Sequence, residues 1–189
     1  MTTKEQSSDK VIVRQFQPQD QERCIELFRM GLCSYKDPPM DILNPWFVNL
    51  KLKEDMGNIY KHYIANDNEQ SNFWVAELNG KVVGCVGAMP DEKDCKALEL
   101  IRMSVDASIR RKGIASLMIT QVENFAISCG LCKVSLTTLI TMLTACAFYE
   151  GCGYTRMETF KFRIPEGIEA HIQPFTKELS VTRCVSNVS

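Results

Sequence analysis

The spacing of apolar residues along the chain predicts seven β-strands and four helices. Alternating apolar and polar positions, or short apolar runs bounded by turn residues, predict strands over 11–16, 73–78, 81–89, 98–105, 133–138, 154–164 and 172–181. Apolar residues three and four positions apart predict helices over 20–31, 53–64, 113–129 and 142–151. This order contains both hairpins and crossover helices, so we expect an α+β fold in which a mixed central sheet of about seven strands is flanked by about four helices.

Turn residues and overlapping periodicities decide three of these boundaries. Asn79-Gly80 is the strongest two-residue hairpin pattern and joins two predicted strands. Gly31 is expected to end the first helix. The stretch 46–52 alternates as a strand does, whereas the apolar residues of 56–63 have helical spacing, and from this we predict the helix over 53–64.

Length and composition suit a single globular domain. The chain has 189 residues, of which 45% are hydrophobic and 24% charged. We predict a domain over 11–181 with flexible tails at 1–10 and 182–189. The 22 basic and 23 acidic residues nearly cancel, which argues against a nucleic-acid partner that is bound by neutralising its phosphates. The N-terminus is polar, and the most apolar run, 134–149, falls short of the ~18 residues of a spanning helix. We therefore expect a cytoplasmic protein without a spanning segment.

The cysteines allow one rival interpretation. Nine cysteines without a secretory signal favour reduced thiols over a disulfide framework. Cys129 and Cys132 match the Cys-x-x-Cys motif, which serves redox chemistry where it stands at a helix start. Here the motif follows a predicted helix, which favours a structural role and leaves a thiol-redox protein as the rival. His62 and His171 stand alone and no second Cys pair has suitable spacing, so we predict no metal site.

A basic loop between a strand and a helix carries the first functional pattern. The strand ends at Val105, a basic run of Arg110, Arg111 and Lys112 follows, and the long helix starts at Gly113. A helix start offers unpaired N–H groups and a positive dipole end, and the small residues Gly113 and Ala115 let an oxygen approach the backbone. The loop therefore fits a diphosphate or is a solvated basic turn. It matches neither Gly-x-x-x-x-Gly-Lys-Ser/Thr nor Gly-x-Gly-x-x-Gly.

Three motifs in order resemble the Gcn5-related N-acetyltransferase (GNAT) family over nearly the whole predicted domain. The segment Arg110-x-x-Gly113-x-Ala115 resembles the family's acetyl-CoA loop. The segment 73–87 resembles its central hairpin, and 147–154 resembles its Tyr-x-x-x-Gly-Phe segment. The segment 73–77 followed by the segment 98–105 is especially similar to the camello-like branch. Members of that branch have a membrane segment after the first helix, but the corresponding region of this chain, 44–55, is too short and too charged to span a membrane.

This resemblance implies a single GNAT-type domain that uses acetyl-CoA as co-substrate, with no metal, and transfers its acetyl group to an amine. It assigns acetyl-CoA binding to a set of thirteen residues: Met103, Ser104, Val105, Arg110, Arg111, Lys112, Gly113, Ile114, Ala115, Ser116, Ala145, Phe148 and Tyr149. Ala115 stands where the family has a last glycine, and Met142 stands where it often has an asparagine. The backbone around Val105 is expected to face the thioester.

The resemblance also names the acid and the base. Tyr149 is expected to protonate the leaving thiolate, or else is an amphipathic core residue. Glu99 stands six residues before Val105, which places both on one face of a regular strand, and a carboxylate at that spacing serves as base in some family members. Glu99 is thus the candidate base or a structural carboxylate paired with a cation such as Arg102. Glu77 is the substitute candidate.

Aromatic residues are the candidates for the acceptor site, although aromatic residues at such positions more often belong to the hydrophobic core. In the family it is walled by the segment between the first two helices and by the last hairpin, which here offer Tyr35, Trp46, Phe47, Tyr60, Tyr63, Phe160 and Phe162. We expect a small-molecule or amino-acid-like amine acceptor, attacked directly in a ternary complex. A protein or peptide N-acetyltransferase and a non-catalytic acyl-CoA sensor are the alternatives, and the oligomeric state, a homodimer included, stays open.

Overall fold

The computed structural model describes residues 10–36, 38–165 and 167–180. Eight strands are present in this part of the chain: β1 Val11–Gln15, β2 Asn72–Leu78, β3 Lys81–Pro90, β4 Ala97–Val105, β5 Lys133–Leu139, β6 Thr155–Arg156, β7 Phe160–Arg163 and β8 Glu169–Glu178. Four α-helices accompany them: α1 Gln21–Cys33, α2 Met40–Lys53, α3 Ile114–Ser128 and α4 Leu143–Gly151. A π-helical turn, Tyr60–Ile64, follows α2.

The strands form one mixed sheet in the order β1-β2-β3-β4-β5-β8-β6, with β7 also paired to β8. Neighbours are antiparallel except β4 and β5, which run parallel. The α+β class, the mixed sheet and the number of about four helices predicted from the sequence are confirmed, although one of the helices lies elsewhere than predicted. The parallel pair is joined through α3, the crossover that parallel strands require.

Both faces of the sheet are covered, which explains the nearly continuous apolar run of β2. Trp74 and Ala76 pack into a core beneath α3, together with Leu98, Leu100 and Met118 among others. Phe73 and Val75 pack on the opposite face with residues of α1 and α2, such as Leu27, Phe28 and Val48. The chain is thus a three-layer arrangement in which β4 and β5 lie centrally.

Gly31 does not end the first helix, which runs on to Cys33. The glycine instead lies in close contact with β4, because a Cβ at this position would lie 3.2 Å from the Ser104 Oγ. The absence of a side chain lets α1 approach the central strand closely.

The predicted helix over 53–64 is wrong for most of its length, because α2 ends at Lys53 and only the π-helical turn Tyr60–Ile64 falls within the rest of the described stretch. Buried and half-buried residues of α2 recur at the i, i+3, i+4, i+7 and i+8 positions, and they are Met40, Leu43, Asn44, Phe47 and Val48. Two residues hide this pattern. Pro45 is a residue that rarely occurs inside a helix and is exposed here, and the polar Asn44 is buried and donates its side-chain N–H to the Leu32 carbonyl at 2.8 Å. The chain then turns sharply at Gly57, where a Cβ would lie 2.2 Å from the Leu52 carbonyl oxygen.

The predicted strand over 154–164 is divided into β6 and β7. The pairing with β8 passes from Arg156 opposite Phe175 to Phe160 opposite Ile172, so three residues face two at the break. Pro174 lies at this point of β8 and has no N–H to donate. The other predicted strands and the Asn79-Gly80 turn are found within a few residues of their expected bounds. Residues 1–9 and 181–189, which carry nearly all of the predicted tails, lie outside the described residues.

Candidate active site

The site forms where the two parallel strands separate. The ladder between β4 and β5 joins only residues Ala97–Glu99 to Lys133–Ser135, although β4 continues to Val105. Beyond Glu99 the β5-facing edge of β4 has no strand partner within the described sheet. Backbone N–H and C=O groups at such an edge are free to bind a ligand.

A β-bulge lies at Arg102, beyond the last residue of β4 that pairs with β5. Cys85 of β3 lies opposite Ser104 and Gly87 lies opposite Ile101, so β4 carries one extra residue. Arg102 has a positive φ of 56°, a left-handed conformation that is uncommon outside glycine. The prediction that Glu99 and Val105 share a face is therefore wrong: Val105 packs in the cluster beneath α3, whereas Ile101 and Glu99 alternate with Leu98 and Leu100 and face the α1 side.

A cavity of about 690 Å³ occupies the gap. Six of the residues proposed for catalysis or acetyl-CoA binding line it: Glu99, Met103, Ser104, Val105, Arg110 and Tyr149. Helices α1 and α2 supply the opposite wall, and Thr137 and Thr138 line it from β5. One cavity thus contains the open edge of β4, a carboxylate, a phenol and one cation of the basic loop.

Glu99 is half-buried in this cavity, and its carboxylate accepts no hydrogen bond from the described residues. Burial and the nearby negative charge of Asp91 raise the pKa of Glu99, while the positive charge of Arg102 opposes them. The group is therefore a stronger base than an ordinary surface glutamate once it has lost its proton.

Tyr149 enters the cavity from α4. Its ring packs against Phe148, Tyr154 and Phe175, with ring centroids 5.5–6.1 Å apart. Burial raises the pKa of Tyr149 well above the ordinary value, so the hydroxyl keeps its proton at neutral pH. No described residue forms a hydrogen bond with this hydroxyl, which leaves it available to a ligand.

Arg102 forms a buried ion pair that the sequence did not reveal. Its Nε and Nη2 donate to the two carboxylate oxygens of Asp55 at 2.8 and 3.1 Å, and the Tyr63 hydroxyl donates to the same carboxylate. Arg102 is therefore the partner of Asp55 and not of Glu99. Asp55, Lys51 and His62 also line the cavity. No local pattern could have identified these residues, because the pair joins positions 47 apart in the chain.

The basic loop is arranged as an anion site would be. Gly113 has a φ of 75° and precedes α3, whose first turn holds no acidic residue and no side-chain cap. Arg110, Arg111 and Lys112 are exposed beside it. The first N–H groups of α3 are thus free, and the N-terminal end of the helix dipole is positive like the neighbouring side chains.

Several proposed residues lie outside the cavity lining. The rest of the loop, Arg111 to Ser116, surrounds the start of α3, and Ala145 and Phe148 lie on α4 behind Tyr149. Glu77 does not line the cavity and forms an ion pair with Arg14 at 2.8 Å. Its place in the sheet makes it unsuitable as the substitute base.

The aromatic candidates for the acceptor site fall into three groups. Tyr35 and Phe47 line the main cavity. Trp46, Phe47, Phe160 and Phe162 line a smaller cavity of about 270 Å³ that shares Thr137, Thr138 and Met142 with the main one. Tyr63 is core, and Tyr60 is exposed on the π-helical turn without lining either cavity.

The thiol and metal alternatives gain no structural support. Cys129 follows the last residue of α3, and burial raises the pKa of its thiol, which disfavours the reactive thiolate. No group of three or more potential metal ligands occurs among the described residues. Within the same residues, no helix has both the length and the apolar character needed to cross a membrane.

Comparisons with known proteins agree with the geometry. The sequence model of the acetyltransferase (GNAT) family matches residues 37–154. The N-acetylaspartate synthetase of Xenopus tropicalis is 35% identical over 77% of this chain and 51% of its own length. Human N-acetyltransferase 8 is 38% identical over 59% of this chain and 51% of its own length. The chain spans about half the length of these curated relatives.

Solved structures share the fold at low sequence identity. A GNAT-family acetyltransferase from Staphylococcus aureus has a TM-score of 0.66 at 18% identity, covering 90% of this chain and 99% of its own. The Salmonella typhimurium protein yncA, described with its cofactor acetyl-CoA, has a TM-score of 0.63 at 13% identity, covering 89% of this chain and 94% of its own. With a family match over more than half of its length, and with relatives from the camello-like branch, the chain belongs to the GNAT family of acetyltransferases.

Proposed function

We propose that this protein is an acetyl-CoA-dependent N-acetyltransferase that acetylates the amine of a small-molecule or amino-acid-like acceptor. The observation that carries the proposal is the single cavity in which the open edge of β4, Glu99 and Tyr149 meet. Transfer of an acetyl group to an amine needs an acceptor base, a proton donor for the thiolate and a polarised carbonyl. The cavity offers a candidate for each.

The residues present fit acetyl-CoA. An uncapped helix start with Gly113 and three cations suits a diphosphate, and a Cβ at Gly113 would meet nothing within 4 Å, so space for a ligand exists there. The edge of β4 from Met103 to Val105 offers backbone groups to an amide-containing arm. Bound acetyl-CoA supplies the acetyl group as an activated thioester. Met103, Ser104, Val105, the 110–116 loop, Ala145, Phe148 and Tyr149 are the residues we propose to hold it.

Glu99 is the proposed base. A primary amine is mostly protonated at neutral pH and must lose a proton before it can attack. Glu99 accepts that proton, directly or through a water molecule, and the burial that raises its pKa improves it as an acceptor.

Tyr149 is the proposed acid. Its hydroxyl is protonated, faces the cavity and has no partner among the described residues, so it can donate a hydrogen bond to the sulfur as negative charge develops there. The proton follows as the thiolate leaves. The backbone N–H of Val105 is the proposed donor to the thioester oxygen.

Helical and aromatic walls on one side of the cavity favour a small acceptor over a protein. Helices α1 and α2 form one wall, and Tyr35, Phe47 and the smaller aromatic cavity restrict its width. An extended peptide needs an open groove along which its backbone can lie. A protein or peptide acceptor therefore remains the second candidate for the test.

The proposal is tested by following free CoA thiol in the presence of acetyl-CoA and a panel of amines, free amino acids, cysteine conjugates and basic peptides. We expect turnover with one small acceptor class. Tyr149→Phe should lower kcat by about 10²- to 10⁴-fold, the usual contribution of general acid catalysis, while acetyl-CoA binding persists. Tyr154→Phe is the matched control, because Tyr154 packs against Tyr149 but does not line the cavity.

Three outcomes contradict the proposal in different ways. Turnover only with basic peptides favours the protein acetyltransferase. Acetyl-CoA binding without turnover of any acceptor favours a sensor. Failure to bind acetyl-CoA removes the anion-site argument altogether.

A further inference from the structure

Two charged side chains of opposite sign face the main cavity with hydrogen-bonding capacity that the described residues do not use. Arg102 donates through Nε and Nη2 to Asp55, but Nη1 donates to no described group. The carboxylate of Glu99 accepts no hydrogen bond from them either. The two groups are close enough for the charge of Arg102 to act on Glu99.

The position of Arg102 is rigidly built. Its backbone is held in the left-handed bulge, and its side chain is only 12% exposed. Phe47 and Phe28 lie against the guanidinium, 5.5 and 6.0 Å from the ring centroids to Cζ. A left-handed non-glycine residue and a desolvated ion pair both cost free energy, and such costs concentrate at ligand-binding sites. The N–H groups of Arg102 that Asp55 does not use are therefore held in a fixed direction before a ligand binds.

The positive charge around Asp55 exceeds what this carboxylate alone neutralises, which favours binding of a second anion. Besides Arg102, Lys51 acts on Asp55, and both cations help to hold the pKa of this carboxyl low against the effect of burial. Lys51 also pairs with Glu54, which is 46% exposed and so well solvated. The charge of Asp55 is thus shared between two cations, and Arg102 keeps donors for a further carboxylate.

A ligand complementary to both groups carries a cation and an anion a few bonds apart. We infer that Arg102 recognises the α-carboxylate of a free amino acid whose amino group lies at Glu99. This inference rests on the proposed N-acetyltransferase function and narrows its acceptor. In a peptide the α-carboxylate of the N-terminal residue is replaced by an uncharged amide, so Arg102 would discriminate against peptides as well as simple amines.

The first test compares each amino acid with its α-carboxamide, which keeps the size and removes the charge. Aspartate, leucine and phenylalanine are assayed in both forms by CoA thiol release. We expect kcat/KM to be about 10- to 100-fold higher for the free acid of whichever amino acid is accepted, the usual effect of a charge-assisted hydrogen bond. Equal rates for acid and amide would overturn the inference and leave the proposed function intact.

The second test assigns the preference to Arg102. In Arg102→Gln the ratio of acid to amide should fall to near one, mainly because KM for the acid rises, while KM for acetyl-CoA is unchanged. A purely structural ion pair predicts equal losses for acid and amide, which would contradict the inference. Arg23→Gln is the matched control: Arg23 also pairs with a carboxylate, Asp106 at 2.5 Å, but it does not line the cavity.

The wild-type comparison stands even if Arg102→Gln is poorly folded, since it needs no variant. Absence of transfer to every acid, amide and amine by a protein that binds acetyl-CoA would overturn the proposed function, and the inference with it. Acetylation of amides or simple amines alone would overturn the inference while supporting the enzyme.

Discussion

At the scale of single residues, the pKa of Glu99 controls the proposed reaction. Burial and Asp91 raise this pKa above the ordinary 4.5, so the basic form is lost at a higher pH than for an exposed glutamate. We expect log kcat to fall as pH decreases through that raised pKa. Glu99→Gln should lower kcat by about 10²- to 10⁴-fold and flatten this acidic limb.

The control for Glu99 is Glu77→Gln, which changes a carboxylate that is paired with Arg14 outside the cavity. It should keep both the rate and the acidic limb. A Glu99→Gln enzyme whose kcat still falls at the same pH would show that another group is the base.

Asp55 and Glu54 are adjacent but should differ widely in their effect on stability. Burial raises the pKa of Asp55, but hydrogen bonds and charge from Arg102 outweigh burial and hold it below 3.8. Asp55→Asn leaves Arg102 buried without its partner and should lower the free energy of unfolding by about 3–5 kcal/mol. Glu54→Gln breaks an exposed pair with Lys51 and should cost at most about 0.5 kcal/mol.

Urea unfolding as a function of pH checks the sign of this effect. The contribution of Asp55 is present above its unfolded pKa and is lost as pH falls through the lower folded pKa. The wild type should therefore lose stability relative to Asp55→Asn below about pH 4. Equal stability of the two proteins at pH 7 would show that the pair does not stabilise the fold.

At the scale of elements, the start of α3 depends on a backbone conformation that side chains adopt with strain. Gly113 and Gly80 have φ values of 75° and 76°, and at both positions an added Cβ would meet nothing within 4 Å. Valine at either position should strain the backbone by a similar amount. Only Gly113→Val should raise KM for acetyl-CoA, by roughly tenfold or more, because it displaces N–H groups at the proposed diphosphate site. An equal rise in Gly80→Val would mean that the effect is general destabilisation.

The elements also show what the sequence could predict. Strong amphipathic periodicity and the Asn79-Gly80 turn located β2, β3 and α3 within a residue or two, because local pattern and tertiary burial agree there. Helix α2 was missed because the polar Asn44 lies on its buried face and Pro45 stands inside the helix, and the burial of Asn44 depends on the distant Leu32 carbonyl. Local pattern cannot reveal such a long-range contact.

The candidate site was likewise predictable from the sequence only in part. Glu99, Tyr149 and the basic loop were proposed from motifs, and Glu99, Tyr149 and Arg110 line one cavity. The sequence could not reveal the bulge at Arg102, which comes from the register between β3 and β4, nor the pairing of Arg102 with Asp55. Both arise from tertiary geometry, and the bulge reversed the expected direction of the Val105 side chain.

At the scale of the whole molecule, the proposed reaction places both substrates in one cavity, which β4, β5 and the helices α1 and α2 line. Cofactor-binding and acceptor-binding candidates line the same space, which favours direct transfer in a ternary complex. A covalent relay would need a nucleophile activated by a base. Among the described residues that line the cavity there is no cysteine, and Ser104 has no hydrogen bond to a base.

Initial-rate kinetics distinguish the two routes. With acetyl-CoA and acceptor varied together, double-reciprocal lines should intersect, and acetyl-CoA alone should neither release CoA in a burst nor increase the mass of the protein. The double variant Cys129→Ser/Cys132→Ser should keep full turnover, because both thiols lie outside the cavity and Cys129 has a raised pKa. Parallel lines together with an acetylated protein would overturn direct transfer, and loss of turnover in the double variant would return the thiol-redox interpretation.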